Sequence, residues 1–306
     1  MLRPLFFILL LFAGADAICQ VTYEQVFVDY DSGVVYKNMK VIPVRKLGVG
    51  STEMGVLTLK KAMEQGLVTL SERGTASTEN VHWVRINNKS GKPLYISSGE
   101  IVLGGRQDRM LAKDTILIPD GRDQYIPAMC VEENRWSDKE KKFTYHGYSN
   151  SRLRKVMQRS GNQVKIWKEV YDQLDSAGIK NATLAYGAYR LDKKNSTVHQ
   201  DYLDHFLKRL DSTVLGVICI AGDKILGTDI FAAPNLFRDA SSSILAGYIE
   251  DAMSVGKELS VNDNEVYFFI DPVLRDEASQ KEYCRKNGKL FKYEGKVFHL
   301  NAFPEK

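Results

Sequence analysis

The 306-residue chain is 44% hydrophobic and 26% charged, proportions of an ordinary globular protein and too apolar for a disordered one. Its 42 Lys and Arg against 38 Asp and Glu leave a formal charge of +4, spread thinly, with residues 139–142 (KEKK) the one dense run. That balance argues against a nucleic-acid partner, and the run reads as a solvated loop.

The chain opens Met1-Leu2-Arg3, runs apolar from 5 to 12 and reaches Ala15-Asp16-Ala17. One basic residue, a short apolar core and an A-x-A exit describe a secretory signal peptide over 1–17, so the protein is expected in the periplasm or outside the cell. The apolar run is shorter than the roughly 20 residues a membrane-spanning helix needs, and no later uncharged segment reaches that length, so no membrane span is expected. The mature chain then begins near Ile18, or at Cys19 under lipoprotein processing, which Asp16, Ala17 and Ile18 fit poorly. Four cysteines remain, Cys19, Cys130, Cys219 and Cys284, and an oxidising compartment would allow three disulfide pairings among them. There is no CxxC, hence no zinc knuckle or thioredoxin-type motif, and Cys219 in the apolar run 214–220 reads as a small buried hydrophobe.

From 21 to 144 the pattern is mainly strands: 26–30, 35–36, 68–70, 81–86, 94–96, 116–118 and 126–131, short, rich in β-branched and aromatic residues and divided by Gly, Asn, Asp and Ser. One helix interrupts them at 58–65, closed by Gly66. Residues 87–93 (NNKSGKP) form a turn, because Asn and Gly tolerate positive φ and Pro93 lacks an N–H for a central ladder.

The middle is helical. Asn162 caps a helix carrying Trp167, Val170, Tyr171 and Leu174 on one face, and Gly178 ends it; a second helix covers 198–210. Apolar runs 214–220 and 224–231 flank Gly222-Asp223 as a hairpin. A helix at 235–253, a strand at 266–270, a helix at 276–285 and a closing hairpin around Glu294-Gly295 follow. The fold class is α+β: an antiparallel, sandwich- or barrel-like N-terminal portion packed with a C-terminal mixed α/β portion. Beyond the signal peptide the organisation reads as a β-rich portion at 18–150, a helical segment at 151–212 and a mixed portion at 213–306, or as one two-lobed domain over 18–306.

Polar chemistry concentrates between Gly99 and Trp136. On an extended strand Gln107 and Arg109 share a face, one offering amide donors and an acceptor, the other a planar fork for carboxylate or phosphate. Gly104 and Gly105 would let backbone approach closely and form an anion nest. The alternative is structural: Gly-Gly as a bulge, and Arg109 paired internally with Glu100 or Glu132. Cys130 and Glu132 share a face, and a neighbouring carboxylate keeps a thiol protonated, so Glu132 is the better general-base candidate unless His146 or Arg135 comes closer to Cys130. Trp136 reads as a core residue, or as a platform for stacking on a base or sugar. Asp229 could face a cleft between the two portions. The five histidines do not cluster, Asp201 and His205 read as a surface pair, and neither HExxH, G-K-[ST] nor G-x-S-x-G occurs, so no metal, cofactor or P-loop is expected.

The run Gly104-Gly105-Arg106-Gln107-Asp108-Arg109, taken with Cys130-Val131-Glu132 and Arg135-Trp136, resembles a bacterial family, the ARG and Rhodanese-Phosphatase-superfamily-associated proteins, where ARG denotes ADP-ribosylglycohydrolase. The resemblance runs from residue 57 through the strand at 227–231 and the helix after it. The family name records neighbours in gene clusters, and implies a setting in ADP-ribose or phosphate metabolism without a demonstrated reaction. Three expectations follow. The first is an exported protein that binds a small phosphate- or ADP-ribose-like anion in a cleft lined by Gly104, Gly105, Gln107, Arg109 and Arg135. The second is a hydrolase of an ADP-ribosyl or phosphoester bond with Glu132 as base. The third is a structural or interaction protein whose motif only stabilises the β-core. Sequence does not specify the oligomeric state.

Overall fold

The computed structural model describes residues 21–48, 53–72, 74, 82–137, 139 and 141–305. The signal peptide and Cys19 lie outside the described residues. Three strands come first, β1 (Val26–Val28), β2 (Val34–Tyr36) and β3 (Met39–Lys46). A second set follows: β4 (Leu57–Thr58), helix α1 (Leu59–Glu64), β5 (Val68–Glu72), β6 (Trp83–Asn88), β7 (Leu94–Ile96), β8 (Glu100–Gly105), β9 (Arg109–Leu111), β10 (Thr115–Leu117), β11 (Gln124–Cys130) and β12 (Lys141–Tyr148). Then come α2 (Ser151–Ser160), α3 (Gln163–Ser176), α4 (Ala188–Leu191), α5 (Lys193–Leu207), the hairpin β13 (Val214–Ala221) and β14 (Lys224–Phe231), and α6 (Pro234–Ser254). The chain ends with α7 (Asp263–Leu274), α8 (Glu277–Asn287) and the hairpin β15 (Gly288–Tyr293) and β16 (Lys296–Ala302).

The protein is α+β, with nearly all strand pairs antiparallel. Six strands in the order β12-β8-β9-β11-β6-β5 form a sheet whose two edge strands, β12 and β5, approach each other, so that it nearly closes as a barrel. Its inside is apolar because alternate residues point inward: Val68 and Leu70, Val84 and Ile86, Ile126 and Ala128 share one core cluster with Leu59 and Ala62 of α1. The outer face of β8 and β9 is covered by α2 and α3, through Ile101, Met110, Leu153, Met157, Ile166 and Val170.

A second sheet takes strands from both ends of the chain, in the order β1-β3-β13-β14-β16-β15 with β2 also on β3. Every residue of β13 is buried. Val217, Cys219 and Ala221 pack with α6, whereas Leu215, Ile218 and Ile220 pack with α7, α8 and their neighbours. A strand covered on both faces reads as an unbroken apolar run. Cys219 is the small buried hydrophobe expected, and Cys130, Cys219 and Cys284 are all free. Helix α6 lies between this sheet and β12. At Gly247 a side chain would come within 2.6 Å of the Ser149 carbonyl, so glycine is what lets the helix seat.

The apolar run at 266–270 is helix, not strand. Asn262 and Glu265 form a reciprocal capping box that starts α7, and Val266, Phe269, Ile270, Val273 and Leu274 are buried at helical spacing. Val266 and Ile270 fit both periods, which is why the run reads as β without the cap.

Candidate functional site

The Gly-Gly-x-Gln-x-Arg segment is a tight reversal between β8 and β9, not the continuous strand expected. Gly104 (φ 124°) and Gly105 (φ 54°) adopt backbone that L side chains rarely take. A Cβ on Gly104 would run into the Lys142 carbonyl, and one on Gly105 into Glu72 and Phe143. The turn does offer its amides to anions, but the anions belong to the chain. The Gly104 N–H donates to Asp108 Oδ1 (2.8 Å) and the Arg106 N–H to Glu72 Oε1 (2.8 Å).

The flagged side chains interlock in the same way. Gln107 Nε2 donates to the Glu132 carbonyl (2.9 Å), and Arg109 Nη1 donates to Gln107 Oε1 (3.3 Å), so these two do lie together. The carboxylate partner of Arg109 is Glu72 at 3.2 Å, neither Glu100 nor Glu132, and both side chains are fully buried. The cation nearest Cys130 is again Arg109, whose Nη1 donates to Sγ at 3.1 Å, rather than His146 or Arg135. Glu132 is 3% exposed and accepts from the Asp108 N–H (3.1 Å) and from Arg135 Nε (2.8 Å). Arg135 also donates to the carbonyls of Gly104 (2.9 Å) and Gly105 (3.1 Å). Burial raises Asp108 from the usual carboxylate range, against the pull of the Gly104 amide. Five clefts on the surface of the described residues are lined by other residues. Trp136 is 43% exposed, not a core residue.

A second buried polar assembly escaped the sequence reading. Arg154 on α2 grips Asp229 on β14 through three contacts of 2.9–3.0 Å, and both side chains are fully buried. Asp229 therefore points into the core, not into a cleft. Tyr248 donates to Asp229 (2.7 Å), and His299 Nε2 stands 3.1 Å from it. The other ring nitrogen of His299 meets Tyr95 Oη (2.8 Å), which donates on to Asp114 (3.1 Å). Burial opposes charge on His299, but Asp114 and Asp229 outweigh it and raise its pKa. Nearby, burial pushes Glu100 up to about 8, against the Ser97 amide and the Tyr145 hydroxyl. Arg154 sits in an Arg- and Lys-rich helix that reads as solvated, so only the fold reveals its role.

An open cleft of about 710 Å³ lies elsewhere, between the starts of α2 and the β13–β14 turn, α3 and the end of α6. Asn150 caps α2 by accepting from the Leu153 N–H (3.0 Å). Asp251 near the end of α6 accepts the Ser151 N–H at 2.7 Å through Oδ2, while its Oδ1 has no hydrogen-bond partner. Burial pushes Asp251 up to about 6, against that same amide. Lys155, one turn further along α2, makes no hydrogen bond or ion pair among the described residues. Burial lowers its pKa, with Asp251 acting in the opposite sense. It forms a wall shared with an adjoining groove of about 500 Å³ that also holds Arg159 and Lys224 together with Asp223, Glu265 and Glu305. Among the described residues no group of three or more His, Cys, Asp or Glu is placed to hold a metal.

These features define an α+β protein with a sealed polar turn, a buried Arg–Asp–His assembly and an open cleft of mixed charge. The chain belongs to the ARG and Rhodanese-Phosphatase-superfamily-associated Protein (ARPP-1) domain family, whose model matches residues 27–303. The match extends the resemblance carried by the GGRQDR and CVEENRW runs at both ends. No curated protein and no solved structure matches the chain.

Proposed function

We propose that the protein is exported and binds a small anionic, phosphate-bearing ligand, and that it does so in the cleft at the start of α2 rather than at the Gln-x-Arg turn. The observation that carries this reading is Lys155: a part-buried ammonium that makes no ion pair among the described residues and feels Asp251 only at longer range, beside Lys224 and Arg159, on the wall of a cleft of about 710 Å³. Ionisable groups with perturbed pKa values in a concave site are a reasoned marker of binding. At the Gln-x-Arg turn the corresponding positions are already filled by Asp108 and Glu72. Export rests on the order of basic, apolar and A-x-A residues in 1–17. Among the described residues no helix is long and apolar enough to cross a membrane.

The test is calorimetric titration of the full mature chain with a panel of phosphorylated and ADP-ribosyl compounds. Lys155→Met should weaken whichever compound binds by about tenfold or more, the usual worth of a charge-assisted contact. Unchanged affinity in Lys155→Met, or silence across the panel, would remove the proposal.

A second reading applies to the motif itself. The full burial of Arg109 and Glu72 supports a role in holding the barrel together. The hydrolase reading has less behind it, since Glu132 is committed to the Asp108 amide and Arg135.

A further inference from the structure

We infer that β15 takes up an acidic peptide in extended conformation, added to the second sheet as a further strand. In that sheet β15 is an end strand, and its one ladder partner is β16. Apart from that ladder, the backbone of residues 289–293 makes no hydrogen bond among the described residues. An end strand presents alternate N–H and C=O groups outward, a template for another extended chain. Residues 288–292 line, without a gap, a groove of about 660 Å³ whose other walls are α8 and residues 113–114. Alternate side chains of a strand leave to opposite sides, so consecutive residues lining one groove present the strand's edge to it. Lys289 Nζ reaches the Ser98 hydroxyl (2.9 Å) and Phe291 stacks on Tyr95, both toward the barrel. Leu290 instead packs with the α7–α8 cluster, and Lys292 pairs with Glu277 of α8.

Charge decides which kind of strand fits. The groove carries five Lys or Arg and two carboxylates. Both carboxylates are answered from within, Glu277 by Lys292 and Asp114 by the Tyr95 and Ser97 hydroxyls, with Lys289 at 4.0 Å. Arg285 is held by Glu282. Lys113 and Lys281 remain, exposed, one on each wall, without a hydrogen bond or ion pair among the described residues. An acidic strand would meet a cation on either side. A second copy of β15 would set Lys289 and Lys292 against lysines, the device by which edge strands avoid their own kind.

The test is titration of the full mature chain with fluorescently labelled octapeptides, read by anisotropy. The probe EEVVEEVV places glutamates on both faces of a strand. One control, KKVVKKVV, reverses the charge; the other is the probe with every amide N-methylated, which keeps the charge and removes the ladder donors. The probe should bind wild type about tenfold tighter or more than either control, one having lost the charge match and the other its hydrogen bonds. Lys113→Glu with Lys281→Glu should weaken the probe about tenfold, because each wall then repels instead of attracting. Both positions are exposed, so the variant should fold as wild type does. Silence of the probe, equal binding of either control, or unchanged affinity in the double variant would overturn the inference. Sedimentation of the free protein as a dimer whose edge is closed to the probe would assign β15 to a second copy and overturn it as well.

Discussion

Arg109 shows how one side chain can look functional in sequence and be structural in the fold. Its fork is spent on Glu72, Gln107 and Cys130, all out of reach of solvent. Removing one member of a buried charge pair strands the other, at a cost of about 3–5 kcal/mol. Arg109→Ala should therefore lower the melting temperature by roughly 10 °C for a chain of this size. Arg109→Met with Glu72→Gln should recover much of the loss, since no charge is then left buried. A thermal melt of the single variant within a degree of wild type would count against the lock. The partnership was hidden because Glu72 lies 37 positions upstream, and spacing alone favoured the nearer Glu100 and Glu132. Gln107 beside Arg109 was legible, although the turn rather than strand alternation brings them together. Glu100 adds a pH signature. With its folded pKa pushed up to about 8 from an ordinary 4.5, the native state binds the extra proton between those values. Its stabilising effect is complete below the lower value and is lost as pH rises through the upper one. Denaturant midpoints of wild type should fall from pH 5 to 8 more steeply than those of Glu100→Gln, in which Tyr145 can turn to accept from the amide. Parallel pH profiles would show that Glu100 is ionised in the fold.

At the level of elements, α7 is where local pattern and tertiary structure part company. A strand over 266–270 would put Val266, Phe268 and Ile270 on one face. The helix instead buries Phe269 (7% exposed) with Val266 and Ile270, and leaves Phe268 outside (74% exposed). Phe269→Ala should cost about 3–5 kcal/mol as a core truncation. Phe268→Ser should stay within about 0.5 kcal/mol of wild type, as exposed substitutions do. Urea unfolding of the two variants separates the geometries, and the reverse order of costs would restore the strand. The cap Asn262 with Glu265 was the available signal for a helix. The hairpins at Gly222-Asp223 and Glu294-Gly295 and the helix capped by Asn162 were legible because turn and cap chemistry is local. Helix α2 falls within the helical segment expected at 151–212, but it was not picked out as an element of its own, since four of its ten residues are Arg or Lys and its apolar stripe is narrow. That loss carried Arg154 and Lys155 with it.

For the whole molecule, two links join the barrel to the second sheet. Helix α6 packs against β12 of the barrel and against β13 of the second sheet, and Arg154 on α2 clamps Asp229 on β14 beneath Tyr248 and His299. Neither could be read from sequence, because long-range pairing leaves no local periodicity. A core interlocked in this way should unfold as one unit even though the chain carries two sheets. The three tryptophans provide a test, since Trp83, Trp136 and Trp167 all belong to the barrel and the helices beside it. Their fluorescence reports that part alone, whereas far-ultraviolet circular dichroism reports every element. Under denaturant the two signals should give coincident midpoints, the signature of a cooperative transition. Asp229→Asn, which leaves Arg154 buried without its counter-charge, should lower both midpoints together, by about 3–5 kcal/mol of stability. Should the dichroism midpoint drop while the fluorescence midpoint stays fixed, the second sheet unfolds on its own. The Arg154–Asp229 clamp would then be a local brace for that sheet rather than the joint between the two halves.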